Sequence, residues 1–178
     1  MKIKLLALVL GLQVAWVFAT VALQEFTLRS APTVLLDTRP VDPRDMLRGD
    51  YVILSYNLSQ IPLSQFQPPL TNQPPAGTTI YVVLEKRGTF HEAASASLTP
   101  PLPKPGQIVL RGTVEHAWQG GSVRVHYGLE HYFVAEGTGN PRGKLTVEAA
   151  VPKSGQATIK EVFLDGKPYR QAMREQAK

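Results

Sequence analysis

Gly49-Asp50-Tyr51-Val52-Ile53-Leu54-Ser55-Tyr56 is the stretch from which the fold of this chain is read. At the two-residue period of an extended strand, Val52, Leu54, Tyr56 and Leu58 share one face, and Tyr51, Ile53, Ser55 and Asn57 share the other. The two tyrosines therefore point opposite ways. Apolar groups on both faces of the first half predict a central strand, covered on one side by the core and on the other by a loop or partner. Upstream, Pro40-Val41-Asp42-Pro43-Arg44-Asp45-Met46-Leu47-Arg48 reads as one helical turn. Asp42 can accept exposed amides, Pro43 suits the first helical position, Asp45 stands where a capping-box acid would, and Gly49 suits a left-handed stop. Asp50 is expected to accept backbone amides or to pair with Arg44 or Arg48.

Short apolar runs separated by turns continue along the chain. Ile80 to Lys86, Leu145 to Val151 and Ala157 to Leu164 read as strands, with a turn at Pro152-Lys153-Ser154-Gly155 and another at Asp165-Gly166. Ile108 to Trp118 and Ser122 to Tyr127 flank Gly120-Gly121, so a two-residue loop predicts a hairpin. That register sets Trp118 opposite Val123, His116 opposite Val125 and Val114 opposite Tyr127, with Ala117 opposite Arg124 and Glu115 opposite His126 on the polar face. Of the fifteen prolines and fourteen glycines, clusters fall in Ile61 to Gly77 and Leu98 to Gly106, which read as long loops inside one domain. The expected architecture is mainly β, a single antiparallel barrel- or sandwich-like domain with short helical turns. An N-terminal transmembrane helix precedes it.

Lys2 and Lys4 precede Leu5 to Leu23, a run without charge in which Gln13 and Thr20 are the clearly polar side chains. At 1.5 Å per residue it could cross most of a hydrocarbon core, and the lysines orient the N-terminus to the cytoplasm. A cleaved signal ending near Ala19 or Ala22 is the rival reading, and either one exports the domain. The uncleaved anchor is preferred, because the apolar run continues past both cuts. The organisation read from sequence is an anchor at 1–24, a β-rich domain at 25–169 and a polar tail at 170–178. There is no cysteine, which leaves out disulfides, thiolate metal sites and a lipoprotein anchor. The net charge of +5 comes from 19 scattered basic residues interleaved with 14 acidic ones, a pattern that argues against nucleic acid as a partner.

Tyr127-Gly128-Leu129-Glu130-His131-Tyr132-Phe133-Val134-Ala135-Glu136-Gly137 forms a second element. By spacing it reads as a short helix or tight turn, with Leu129, Tyr132 and Phe133 toward the core and Glu130, His131 and Glu136 at the surface or in a groove. Together with Gly49, Asp50, Tyr51, Leu54 and Tyr56, it makes the chain from about Val34 to Lys167 resemble the bacterial GDYXXLXY family. The resemblance implies a membrane-anchored envelope domain on the periplasmic or exterior side of the inner membrane, found beside polytopic membrane proteins. It implies no defined reaction.

Three function classes follow. The leading one is a non-catalytic, membrane-tethered binding or assembly module that contacts the bilayer through residues 5–23 and partners a polytopic membrane protein. Its candidate contact residues are Asp42, Arg44, Asp45, Arg48, Asp50, Tyr51, Tyr56, Glu130, His131, Tyr132 and Glu136. The second is a serine/lysine peptidase-like hydrolase, in which Ser30 beyond the apolar run is nucleophile and Lys86 is base. It requires Lys86 to be desolvated and within reach of Ser30. The third is a glycan-binding domain using Trp118, Tyr127 and Tyr132, although Trp118 and Tyr127 fall on the expected core face. His91, His116, His126 and His131 lack ligand spacing, so no metal and no cofactor is expected.

Overall fold

The computed structural model describes residues 2–39, 51–115, 121–134, 141 and 143–176. The upstream turn with Asp42, Arg44, Asp45 and Arg48, the Gly49 stop, Asp50, His116, Trp118 and Glu136 all lie outside the described residues. The first element is α1 (Lys2–Ser30), 29 residues and so about 43 Å long. From Val9 to Ser30 it is long and apolar enough to cross a membrane, and none of that span is buried against the rest of the protein. The helix continues past the apolar run read from sequence, because Glu25 and Arg29 pair one turn apart at 2.8 Å. Pro32, which cannot extend the helical hydrogen bonding, then separates it from the first strand.

Among the described residues, twelve strands follow: β1 (Thr33–Arg39), β2 (Tyr51–Ile53), β3 (Ser55–Tyr56), β4 (Gln60–Pro62), β5 (Thr79–Arg87), β6 (Phe90–Ser97), β7 (Ile108–Val114), β8 (Ser122–His126), β9 (His131–Phe133), β10 (Leu145–Ala150), β11 (Thr158–Leu164) and β12 (Lys167–Pro168), before the helix α2 (Tyr169–Gln176). They form two five-stranded sheets, β12-β11-β10-β1-β3 and β4-β8-β7-β5-β6, and a ribbon, β2-β9. The ladders are antiparallel, as expected. Of the two architectures left open by the sequence, the chain adopts the barrel-like one. β6 runs beside the free stretch of β1, where the Leu35 N–H donates to His91 Nδ1 at 3.1 Å. On the far side, the turn between β10 and β11 reaches β7, with the Arg111 N–H donating to the Gly155 carbonyl at 2.7 Å.

Alternation along each strand fills the barrel. Val34 and Leu36, Ile80, Val82 and Leu84, Leu110 and Val114, Val123 and Val125, Val147 and Ala149, and Val162 and Leu164 all point into one core with Leu54, Tyr56, Leu58, Ile61 and Phe66. The face assignment made for residues 52 to 58 is therefore correct. The central position is not: Tyr51–Tyr56 is split between two partners, its first half in the β2–β9 ribbon and its second half at the edge next to β1. A twisted sheet that closes on itself needs segments that change partner, and this one does so at Leu54.

The β7–β8 register differs from expectation by two residues. Val114 stands opposite Val125 rather than Tyr127, and Thr113 opposite His126. An even shift keeps every side chain on its expected face, so apolar and polar residues stay sorted. It moves the pairs, however, and Arg124 meets Glu115 at 3.0 Å. The second element is also not helical, because His131–Phe133 forms strand β9. Tyr132 packs inward while Phe133 is 78% exposed, so period two rather than helical spacing governs this segment. The residues read as a polar tail largely belong to α2, whose Tyr169, Ala172 and Met173 are buried in the core.

β6 carries no strand signal in its Ala- and Ser-rich sequence. It forms because Gly88, at φ +63°, allows the chain to fold back on β5 and pair Arg87 with Phe90 through Tyr81 with Ser97. Both β6 and β7 are antiparallel to β5 and flank it. The proline-rich segment 98–107 must therefore cross β5 to connect them.

Candidate functional site

The two elements singled out in the sequence meet. Tyr51, Val52 and Ile53 pair with Phe133, Tyr132 and His131 in the β2–β9 ribbon. At the point where the first segment leaves the ribbon, the Leu54 N–H donates to the Glu130 carbonyl at 2.8 Å. Two residues later, the Tyr56 hydroxyl donates to the Leu129 carbonyl at 2.6 Å. A reciprocal tie runs back, with the Tyr127 hydroxyl donating to the Leu58 carbonyl at 2.7 Å. Each tyrosine thus crosses the core to hold the other segment's backbone, where an unpaired carbonyl would be costly.

Glu130 sits at the centre of this junction. Its Oε1 accepts the Tyr127 N–H at 2.7 Å, and its Oε2 lies 3.1 Å from His126 Nε2. The tight turn that places it uses Gly128 at φ +81°, where glycine is favoured. His126 therefore faces a carboxylate, as the sequence suggested, but the carboxylate is Glu130 and not Glu115. Burial, reinforced by the negative charge of Glu130, pushes the phenol pKa of Tyr56 far above its ordinary value, and does the same for Tyr127. Both are neutral hydrogen-bond donors at any physiological pH.

Tyr132, on the inner face of β9, meets Tyr169 of α2 edge to face, with centroids 5.5 Å apart and planes at 77°. Tyr169 is 1% exposed and, among the described residues, its hydroxyl has no hydrogen-bond partner. On the opposite face of the ribbon, Ile53 is 40% exposed beside the exposed His131 and Phe133. Of the candidate contact residues, Tyr56 and Glu130 are thus brought together in a packed, hydrogen-bonded joint, Tyr132 packs on Tyr169 from the adjoining ribbon, and Tyr51 and His131 each pair within that ribbon.

Ser30 and Lys86 do not meet the requirements of a nucleophile and base. The Ser30 hydroxyl donates to the helical carbonyls of Phe26 and Thr27, and Lys86 is exposed, so nothing desolvates its ammonium. Tyr127 cannot offer its ring to a sugar, being 3% exposed with its hydroxyl engaged in the core. Among the described residues, no group of three or more potential metal ligands clusters.

One feature carried no signal in the sequence. A shallow groove of about 460 Å³ runs along α2, lined by Glu161, Pro168, Arg170, Gln171, Arg174 and Glu175. Its Glu175 is held below the usual carboxylate pKa by hydrogen bonds from Lys167 and Gln171. The amphipathic spacing of Tyr169, Ala172 and Met173 could have revealed the helix, though not the groove.

Neither the curated proteins nor the solved structures give a match to this chain. The family model described as GDYXXLXY protein matches residues 13–162, which takes in most of the apolar helix, both signature elements and all strands through most of β11. With that span covering most of the chain, and with Tyr51, Leu54 and Tyr56 of the motif standing at the junction described above, the protein belongs to the GDYXXLXY family.

Proposed function

We propose that this protein is a membrane-tethered, non-catalytic binding or assembly module, held in the bacterial inner membrane by α1 with its barrel on the periplasmic or exterior side. Its partner in this reading is a polytopic membrane protein. The observation that carries it is the state of α1: the span Val9–Ser30 is apolar, and none of it is buried against the barrel. Large side chains such as Leu12, Trp16, Phe18 and Phe26 remain exposed, and so many apolar groups need lipid or another protein around them. The short connection through Ala31 and Pro32 holds the barrel close to wherever that helix ends.

The described part of the signature supports a scaffolding role for the motif. Tyr56 and Leu54 fill the core, the Tyr56 hydroxyl holds the Leu129 carbonyl, and Glu130 Oε1 binds a backbone amide. Partner contact then falls to the outward face of the β2–β9 ribbon, with Ile53, His131 and Phe133, and to the candidates upstream of it from Asp42 to Asp50. A pull-down from a detergent extract, using the full chain and an Ile53→Asp variant, tests this reading. The full chain should retain a specific membrane-protein partner that the variant loses, with equal thermal unfolding of the two. Recovery of the full chain in the soluble fraction, or equal capture by both, would refute it.

A further inference from the structure

The line where the barrel almost closes is built unlike its other joints. β1 is laddered to β10 through Thr33–Asp37 and to β3 through Thr38 and Arg39, and β6 is laddered to β5. No ladder joins β1 to β6, although the two strands run side by side. Backbone groups of an extended chain alternate between its two edges, and the Leu35 N–H falls on the edge away from β10. There it donates to the imidazole Nδ1 of His91 at 3.1 Å. The seam is thus fastened by a side chain in place of a backbone carbonyl. A second tie lies along it: Lys144 Nζ stands 2.9 Å from Asp37 Oδ1 of β1 and 5.2 Å from the ring centroid of Phe90 of β6.

A side-chain acceptor differs from a carbonyl in one respect. An imidazole accepts at Nδ1 only while that nitrogen is unprotonated. We infer that the β1–β6 seam is an acid-sensitive joint: protonation of His91 removes the acceptor for Leu35 and releases the edge of β1, the strand continuous with the apolar helix.

The surroundings set the direction of the effect. From β5, Lys86 stands opposite His91 and its charge opposes a second cation. On β6, the neighbouring Glu92 is paired with Arg87 at 3.7 Å. On β1, Asp37 is already held by Lys144 and by Asn57, and on β10 Glu148 stands opposite Leu35. The 3-10 turn Asn57–Ser59 beside β6 brings no titratable group. Burial first, and then the positive charge of Lys86, lower the His91 pKa, and a Leu35 N–H that only the neutral ring can accept acts in the same direction. A folded pKa below the unfolded value means that the seam's contribution is complete above about pH 6.5, the ordinary histidine value, and is lost as pH falls through the folded pKa.

Hydrogen exchange at the Leu35 amide in the full chain, reconstituted in detergent micelles and corrected for intrinsic rates, reads the seam directly. Between pH 7.5 and pH 4.5, protection of Leu35 should fall about tenfold or more relative to the β10-facing amides of Val34 and Leu36. His91→Asn offers a carbonyl oxygen near the position of Nδ1 and does not titrate, so its Leu35 protection should be independent of pH. His91→Phe offers no acceptor and should show the low-pH exchange rate at every pH. Uniform protection of Leu35 in the native protein across this range, or the same pH dependence in His91→Asn, would overturn the inference. Should His91→Phe fail to fold, the native protein and His91→Asn still decide the question.

Discussion

The hydroxyl of Tyr56 donates to the carbonyl of Leu129, 73 residues further along the chain, at 2.6 Å. The bond joins the end of one signature element to the heart of the other inside the hydrophobic core. Its loss should therefore be felt by the whole barrel. Tyr56→Phe keeps the ring and leaves a buried carbonyl without its donor, at an expected cost of about 1–3 kcal/mol. Urea unfolding of the two proteins checks this, and Tyr127→Phe, which frees the Leu58 carbonyl, should behave alike.

Tyr169 predicts the opposite sign. Its hydroxyl is buried without a hydrogen-bond partner among the described residues, so Tyr169→Phe removes a desolvated polar group while keeping the edge-to-face contact with Tyr132. Stability should be unchanged or higher by up to about 1 kcal/mol. A clear loss in thermal unfolding would mean that the hydroxyl has a partner in solution.

Alkaline pH should unfold the protein through these same phenols. Tyr56 and Tyr127 have folded pKa values raised by burial and by Glu130, so each contributes stability that is fully present below the unfolded value near 10 and is lost as pH rises above it. Ultraviolet absorbance of the phenolates, followed alongside circular dichroism, checks this. The buried ones should ionise only together with loss of the far-ultraviolet β signal. Smooth ionisation of all six tyrosines without unfolding would contradict the buried placement.

Gly112 in β7 lies against β8 so closely that an added Cβ would stand 2.5 Å from Val125 Cγ1 and 2.9 Å from the His126 carbonyl oxygen. Gly112→Ala should destabilise by about 1–3 kcal/mol, as overpacking does. Gly11→Ala in α1 meets nothing within 4 Å and serves as the matched control. Equal midpoints for the two variants would place β8 further from β7 than described.

Glu130→Gln should separate the two bonds of the junction. The amide oxygen can still accept the Tyr127 N–H, whereas the charge facing His126 is gone. A loss of about 1 kcal/mol is expected, because the carboxylate beside the partly exposed imidazole of His126 is replaced by an uncharged amide. Urea denaturation of the two proteins checks it.

The sequence by itself determined which residues are apolar at which period. That was enough to place Val52, Leu54, Tyr56 and Leu58 on one face, to place the strands at Ile80, Leu145 and Ala157, and to call for an apolar N-terminal helix. These features are local, because alternation and hydropathy act over a few residues. The β7–β8 register could not be read this way, since a two-residue slip leaves the face of every side chain unchanged and the choice falls to the contacts of Tyr127 and Glu130. Nor could β6, whose alanines and serines become a strand only by pairing with β5. Phe133 looks like core at helical spacing, and the ribbon pairing of His131–Phe133 with Tyr51–Ile53 turns it outward. Closure of the barrel was likewise decided by tertiary structure alone. It depends on His91 and Leu35, 56 residues apart, coming within one hydrogen bond, and no local pattern encodes a meeting between strands so distant along the chain.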